Sequence, residues 1–141
     1  MHKIKIETDP ALVGIKDNLV DTIYKHTLEN EGISDSETSI IFANKSLIKK
    51  LKKQFFNINE PTDVIAFRLN DYSINKVKGE IYICLPVAKE NAEYYGEPYE
   101  REIARLIIHG SLHLLGYKDD TEEQRLEMHK LENKYLKDLK H

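Results

Sequence analysis

Residues 103–116 read Ile-Ala-Arg-Leu-Ile-Ile-His-Gly-Ser-Leu-His-Leu-Leu-Gly, and this stretch decides the architecture. Ile103, Leu106, Ile107, Ile108, Leu112, Leu114 and Leu115 fall on nearly every side of a helix spanning roughly 99–115, so the helix belongs in the middle of a domain, not on its surface. His109 and His113 are four residues apart and lie one above the other on that helix, so both imidazoles can reach one ion. Gly116 can end the helix by taking the left-handed conformation. The chain then turns back and brings Asp119 to the same ion; Asp120 is the competing candidate, with the less suitable spacing from Gly116. Two imidazoles and one carboxylate leave a fourth position for water on zinc, although other divalent metals accept similar ligands. Burying the three side chains without an ion would leave costly polar groups.

Working outward, residues 2–7 alternate in polarity and read as a strand. Asp9-Pro10 reads as a helix start, with Leu12, Ile15, Leu19 and Ile23 at helical spacing and Gly32 marking an end near residue 31. A buried strand follows at 38–43, and strand–helix–strand implies a parallel pair. The next helix runs from about Ser46 to Phe56, with Leu47, Ile48, Leu51 and Phe55 as its apolar stripe. Strands at 64–69 and 79–85 form an antiparallel hairpin. A short helix runs from Pro86 to Gly96, and Thr121 with Gln124 makes a capping box for the last helix, whose Met128, Leu131, Tyr135 and Leu139 face inward. The expected class is α+β: a mixed sheet of about four strands packed with about five helices, around a central buried metal-bearing helix.

At 141 residues and 16.4 kDa, a single domain over 1–141 is expected. The lone Cys84 excludes an internal disulfide framework and fits a reducing, cytoplasmic setting. The first residues lack the apolar core of a signal peptide, and no apolar run approaches membrane-span length. A net charge of −3 argues against indiscriminate nucleic-acid binding. It leaves room for a local basic face, and Lys45, Lys49, Lys50, Lys52 and Lys53 supply one that can attract phosphates.

The spacing around the two histidines also resembles the zinc-protease pattern H-E-x-x-H-x-x-G-x-x-H. Here Gly110 replaces the glutamate that serves those enzymes as general base. Gly110 is expected to leave open room beside the metal, which favours a hydrolase for a substrate such as a phosphodiester over a metallopeptidase. Glu102 lies seven residues before His109, roughly 10 Å along a helix axis, too far for a ligand. It and Asp63 are the candidate catalytic carboxylates.

Two stretches together resemble the YbeY family of bacterial rRNA-processing factors. Pro61-Thr62-Asp63-Val64-Ile65-Ala66-Phe67 is similar to that family's P-T-D-V-L-S-F. His109-Gly110-Ser111-Leu112-His113-Leu114-Leu115-Gly116-Tyr117 matches H-G-x-L-H-L-x-G-Y, with Arg101-Glu102 placed as the preceding R-E. The resemblance implies a zinc- or other metal-dependent, single-strand-specific endoribonuclease. It would act on the rRNA precursor in small-subunit (16S) 3′-end maturation and in ribosome quality control, with the ribosomal small subunit as partner. Metal-activated water would attack the phosphodiester, at an ion held by His109, His113 and Asp119. The other reading is a non-catalytic ribosome-assembly factor with a structural metal. Two departures stand out: Asp119 occupies the place of the family's third histidine, and Phe56 that of an arginine five residues before the proline. A substitute cation for that arginine would come from Arg68 or from the lysine-rich helix, Lys49 and Lys53 among its residues.

Overall fold

The structure, a computed structural model, describes residues 1–139. In chain order it runs β1 (His2–Thr8), α1 (Asp17–Asn30), β2 (Ser36–Ala43), α2 (Lys45–Phe56), β3 (Val64–Arg68), β4 (Val77–Cys84), α3 (Leu85–Tyr95), α4 (Tyr99–Leu114) and α5 (Glu122–Asp138). The strands form one mixed sheet in the order β1-β2-β4-β3. β1 and β2 pair in parallel, as do β2 and β4, while β3 runs antiparallel to β4 with Ala66 opposite Ile81.

Strand periodicity assigns the two faces of the sheet. Ile40, Phe42, Val77, Ile81 and Ile83 point into the larger core, where they meet Val20, Ile23 and Tyr24 of α1, the apolar residues of α4, and Met128 and Tyr135 of α5. The opposite face presents Ala43, Ile65 and Cys84 to Ile48 of α2. In α4, ten residues are buried, among them Ile103, Ile107, Ile108 and Leu112. This helix packs against α1, α3, α5 and two strands, the central position that apolar residues on nearly every side of it require. No helix among the described residues is long and apolar enough to cross a membrane.

β2 and β4 each begin two residues earlier than expected, and one helix start moves further. The first helix begins at Asp17, not at Asp9-Pro10. Asp9 instead closes a local turn, its side chain accepting from the Ala11 amide (2.9 Å) and its carbonyl from the Leu12 amide (2.9 Å). An aspartate that bonds its own backbone two residues on makes a turn as readily as a helix cap. Asp9 also accepts from Asn44 (2.9 Å), the residue that caps α2. Leu12 and Ile15 still pack against the core, but from an irregular segment. The capping box at Thr121 and Gln124 is present at the start of α5.

Candidate metal centre

The last two turns of α4 and the loop after it bring three side chains together. His109 and His113 project from one face, their Nε2 atoms 3.0 Å apart. The loop reverses at Gly116, whose φ of +100° is a backbone conformation open to glycine. It returns Asp119, placing Oδ2 3.4 Å from His109 Nε2 and 3.5 Å from His113 Nε2. The neighbouring Asp120 is exposed and its amide donates to Gln124 at the start of α5.

The outer hydrogen bonds decide which ring nitrogens face the centre. His113 Nδ1 lies 2.9 Å from the Tyr117 carbonyl oxygen, which can only accept, so Nδ1 carries the proton. His109 Nδ1 lies 2.7 Å from Glu132 Oε2 and donates to that carboxylate. In the neutral rings both Nε2 lone pairs then point at each other and at the Asp119 carboxylate. Three electron-pair donors facing one point require a cation or a shared proton between them. Ligand atoms about 2.0–2.1 Å from a tetrahedral zinc ion lie roughly 3.3–3.4 Å apart, close to the separations found here. The donor set therefore fits a metal of the zinc type, and a carboxylate or carbonyl behind each imidazole is the usual way such ligands are oriented.

Glu132 was not legible as a site residue, since it sits in α5, 23 residues after His109. It is 1% exposed and its second oxygen accepts from Arg105 (3.1 Å). Burial pushes its carboxyl up, but the hydrogen bond and charge of His109, with Arg105, prevail and hold it below its ordinary value. Burial likewise works against protonation of His109, and Glu132 and Asp119 outweigh it, so this imidazole is raised. At His113 burial and the neighbouring His109 dominate, and that ring is lowered.

The three donors line a cleft of about 760 Å³ whose wall includes Lys52, Phe56, Asp63, Tyr72 and Lys118. Asp63 is half-buried there, its carboxylate accepting from Asn91 (3.1 Å). The same Asn91 amide donates to Glu102 (3.2 Å). Glu102 is buried, behind the cleft in a second cavity of about 630 Å³ shared with Arg105, His129 and Glu132. Burial, helped by Asp63 and Glu132, raises its carboxyl above the ordinary value.

Three expectations are corrected by these positions. The Arg68 guanidinium is engaged within the chain: it donates to the carbonyls of Leu114 (2.7 Å), Asp71 (3.1 Å) and Ile74 (3.0 Å) and to Asn70 Oδ1 (2.6 Å). Of the lysine-rich helix, Lys52 reaches the cleft wall, whereas Lys49 and Lys53 do not line it, and Lys45 pairs with Glu90. Gly110 opens no space beside the His–His–Asp group. It is buried against the sheet, where an added Cβ would lie 2.6 Å from Ile81 Cγ2 and 3.3 Å from Val64 Cγ2.

Comparison with known proteins bears on the same residues. Residues 5–140 match the family model described as "Endoribonuclease YbeY". The chain is similar to the Endoribonuclease YbeY of Desulforamulus reducens, with 38% identity over 138 residues, covering 90% of this chain and 90% of the relative. It is similar to that of Caldanaerobacter subterraneus subsp. tengcongensis, with 39% identity over 136 residues, 86% of this chain and 85% of the relative. Among solved structures it resembles the solution structure of TM1509 from Thermotoga maritima, with a TM-score of 0.65 and 30% identity over 95% of this chain and 87% of the other.

Proposed function

The chain belongs to the YbeY endoribonuclease family, and on that premise we propose that it hydrolyses phosphodiester bonds of single-stranded RNA in the cleft below α4. The substrate in this reading is the small-subunit rRNA precursor, cut near its 3′ end in the cytoplasm on or beside the ribosomal small subunit. The observation that carries the reading is the convergence of His109 Nε2, His113 Nε2 and Asp119 Oδ2 in a cleft that also holds two lysines.

His109, His113 and Asp119 would hold one zinc ion per chain. The chemistry supplied by the bound ion is Lewis-acid activation of water and of a phosphoryl oxygen. The remaining work falls to the chain itself. Lys52 and Lys118 neutralise phosphates entering the cleft. Asp63, the carboxylate of the cleft wall outside the ligand set, takes the proton of the attacking water, and Asn91 fixes its orientation. Glu102 stands one hydrogen bond further back and tunes Asp63 through Asn91. Glu132 holds His109 in the tautomer that turns Nε2 inward. Gly110, the position of the protease glutamate, faces Ile81 and supplies no base, which disfavours peptide hydrolysis.

Protein stripped of metal and reloaded with zinc is expected to cut an unstructured oligoribonucleotide, and His113→Ala to abolish cutting. Asp119→Ala is expected to lose stoichiometric metal on elemental analysis. Full cutting by the His113 variant would sink the metal mechanism. A protein that binds rRNA and loses thermal stability on chelation, yet never cuts, is instead an assembly factor with a structural ion.

A further inference from the structure

Two aromatic side chains stand exposed in the wall of the cleft that contains the His–His–Asp centre. Phe56, at the end of α2, is 47% exposed and Tyr72, in the connection before β4, is 60% exposed. Each ring has packing partners within the chain. Phe56 lies nearly parallel to Phe67, with an interplanar angle of 18° and centroids 6.2 Å apart. Tyr72 is braced by the Arg68 guanidinium, 5.0 Å from its ring centroid. Its edge approaches Gly116, where an added Cβ would come within 3.5 Å of Tyr72 Cδ1. A ring ordered before its ligand arrives loses little entropy on binding.

Positive charge accompanies both rings. The Lys52 ammonium lies 5.0 Å from the Phe56 centroid, and Lys118 lines the same cleft as Tyr72. Aromatic faces set beside cations match the alternation of base and phosphate along an unpaired strand. A duplex keeps its base faces stacked inside and has none to offer.

We propose that Phe56 and Tyr72 stack unpaired nucleobases flanking the phosphodiester presented to the metal centre, and that this stacking is the source of the cleft's preference for single-stranded RNA. The proposal rests on the endoribonuclease reading and adds the residues that select the strand. Stacking is tolerant of base identity because every base has a π-face, so the cleft would read the absence of pairing more than the sequence.

The zinc-loaded full chain would be assayed on an unstructured oligoribonucleotide in which each base in turn is replaced by an abasic ribose, leaving all phosphates in place. Wild type is expected to lose on the order of ten-fold in kcat/KM at one or two abasic positions, within the range of measured base–aromatic stacking. Phe56→Leu keeps the bulk against Phe67 but has no π-face, and it should be indifferent to the abasic position that matters to wild type. Phe56→Tyr should retain that sensitivity, and Tyr72→Leu should lose it at a second position. If no abasic position matters, or if Phe56→Leu and Tyr72→Leu keep the full penalty while the intact strand is still cut, stacking is wrong and the endoribonuclease reading stands. If wild type cuts no RNA at all, that reading fails and the proposal falls with it.

Discussion

Each imidazole of the centre has its Nδ1 engaged by a different partner, a buried carboxylate at His109 and a backbone carbonyl at His113, so the two rings are not equivalent. Glu132→Ala removes the negative charge behind His109 and frees that ring to turn. Metal affinity measured by chelator competition should fall about 10- to 100-fold, the usual cost of deleting such a support. A cobalt-substituted variant should show an altered visible spectrum if the ring reorients. Glu102 gives a separate test, in pH. Its carboxyl is raised by burial first, then by Asp63 and Glu132. A group raised on folding contributes stability that is complete below its unfolded value of 4.5 and is lost as pH rises through the folded value. Ionised Glu102 is therefore a liability at neutral pH. Glu102→Gln, which can still accept from Asn91, should raise Tm at pH 7 and leave it nearly unchanged at pH 4; an equal shift at both would contradict the burial argument.

Among the elements, α4 carries both the core and the site, and Gly110 is where the two demands meet. Because a Cβ there would strike Ile81, the helix can approach β4 closely and set its next turn at the cleft. Gly110→Ala is expected to push helix and strand apart. Denaturant unfolding should show a loss of about 1–3 kcal/mol, as for other overpacked cores, even though alanine is the better helix former. A stabilised variant would mean that the contact is relieved by a rotamer change at Ile81. The loop after α4 is secured from elsewhere: Tyr117 donates to Glu31 (2.6 Å), and Tyr135 of α5 donates to the same carboxylate. That bond pushes the Tyr117 hydroxyl up to about 12, so it stays a donor throughout the physiological range. One acid at the end of α1 thus ties the metal loop to α5.

At the scale of the whole molecule, a metal held by His109, His113 and Asp119 would join α4 to the loop leading into α5, and a site built from both would exist only in the folded chain. Free zinc at 100 times its Kd should add about 2.7 kcal/mol, and a chelator should lower Tm by several degrees at roughly 2–4 °C per kcal/mol. A Tm indifferent to both would remove the ion from the structure's stability. What could be read from the sequence follows the same logic of near and far. The order of four strands and five helices, the capping box at Thr121 and the approach of Asp119 to the two histidines all depend on neighbours within a few residues. Glu132 behind His109, the bond from Arg68 to the Leu114 carbonyl and the side to which Gly110 turns depend on contacts 23 or more residues away, and no local spacing encodes them. The false helix start at Asp9 was local but ambiguous, because an aspartate can close a turn and cap a helix by the same bond.

The Arg68 clamp has a consequence for how this protein can be altered. Leu114 ends α4, so its carbonyl is among those with no partner inside the helix, and the guanidinium both satisfies it and sets positive charge at the negative end of the dipole. The same guanidinium is held by the carbonyls of Asp71 and Ile74, in a connection that is largely exposed and without regular structure. By the ordinary criteria of surface position and polarity, residues 71–75 look like a place to splice an affinity tag or accept an insertion over evolutionary time. Their backbone is instead one jaw of a clamp whose other jaw is the last turn of the histidine helix, so lengthening this loop would be felt at the cleft first.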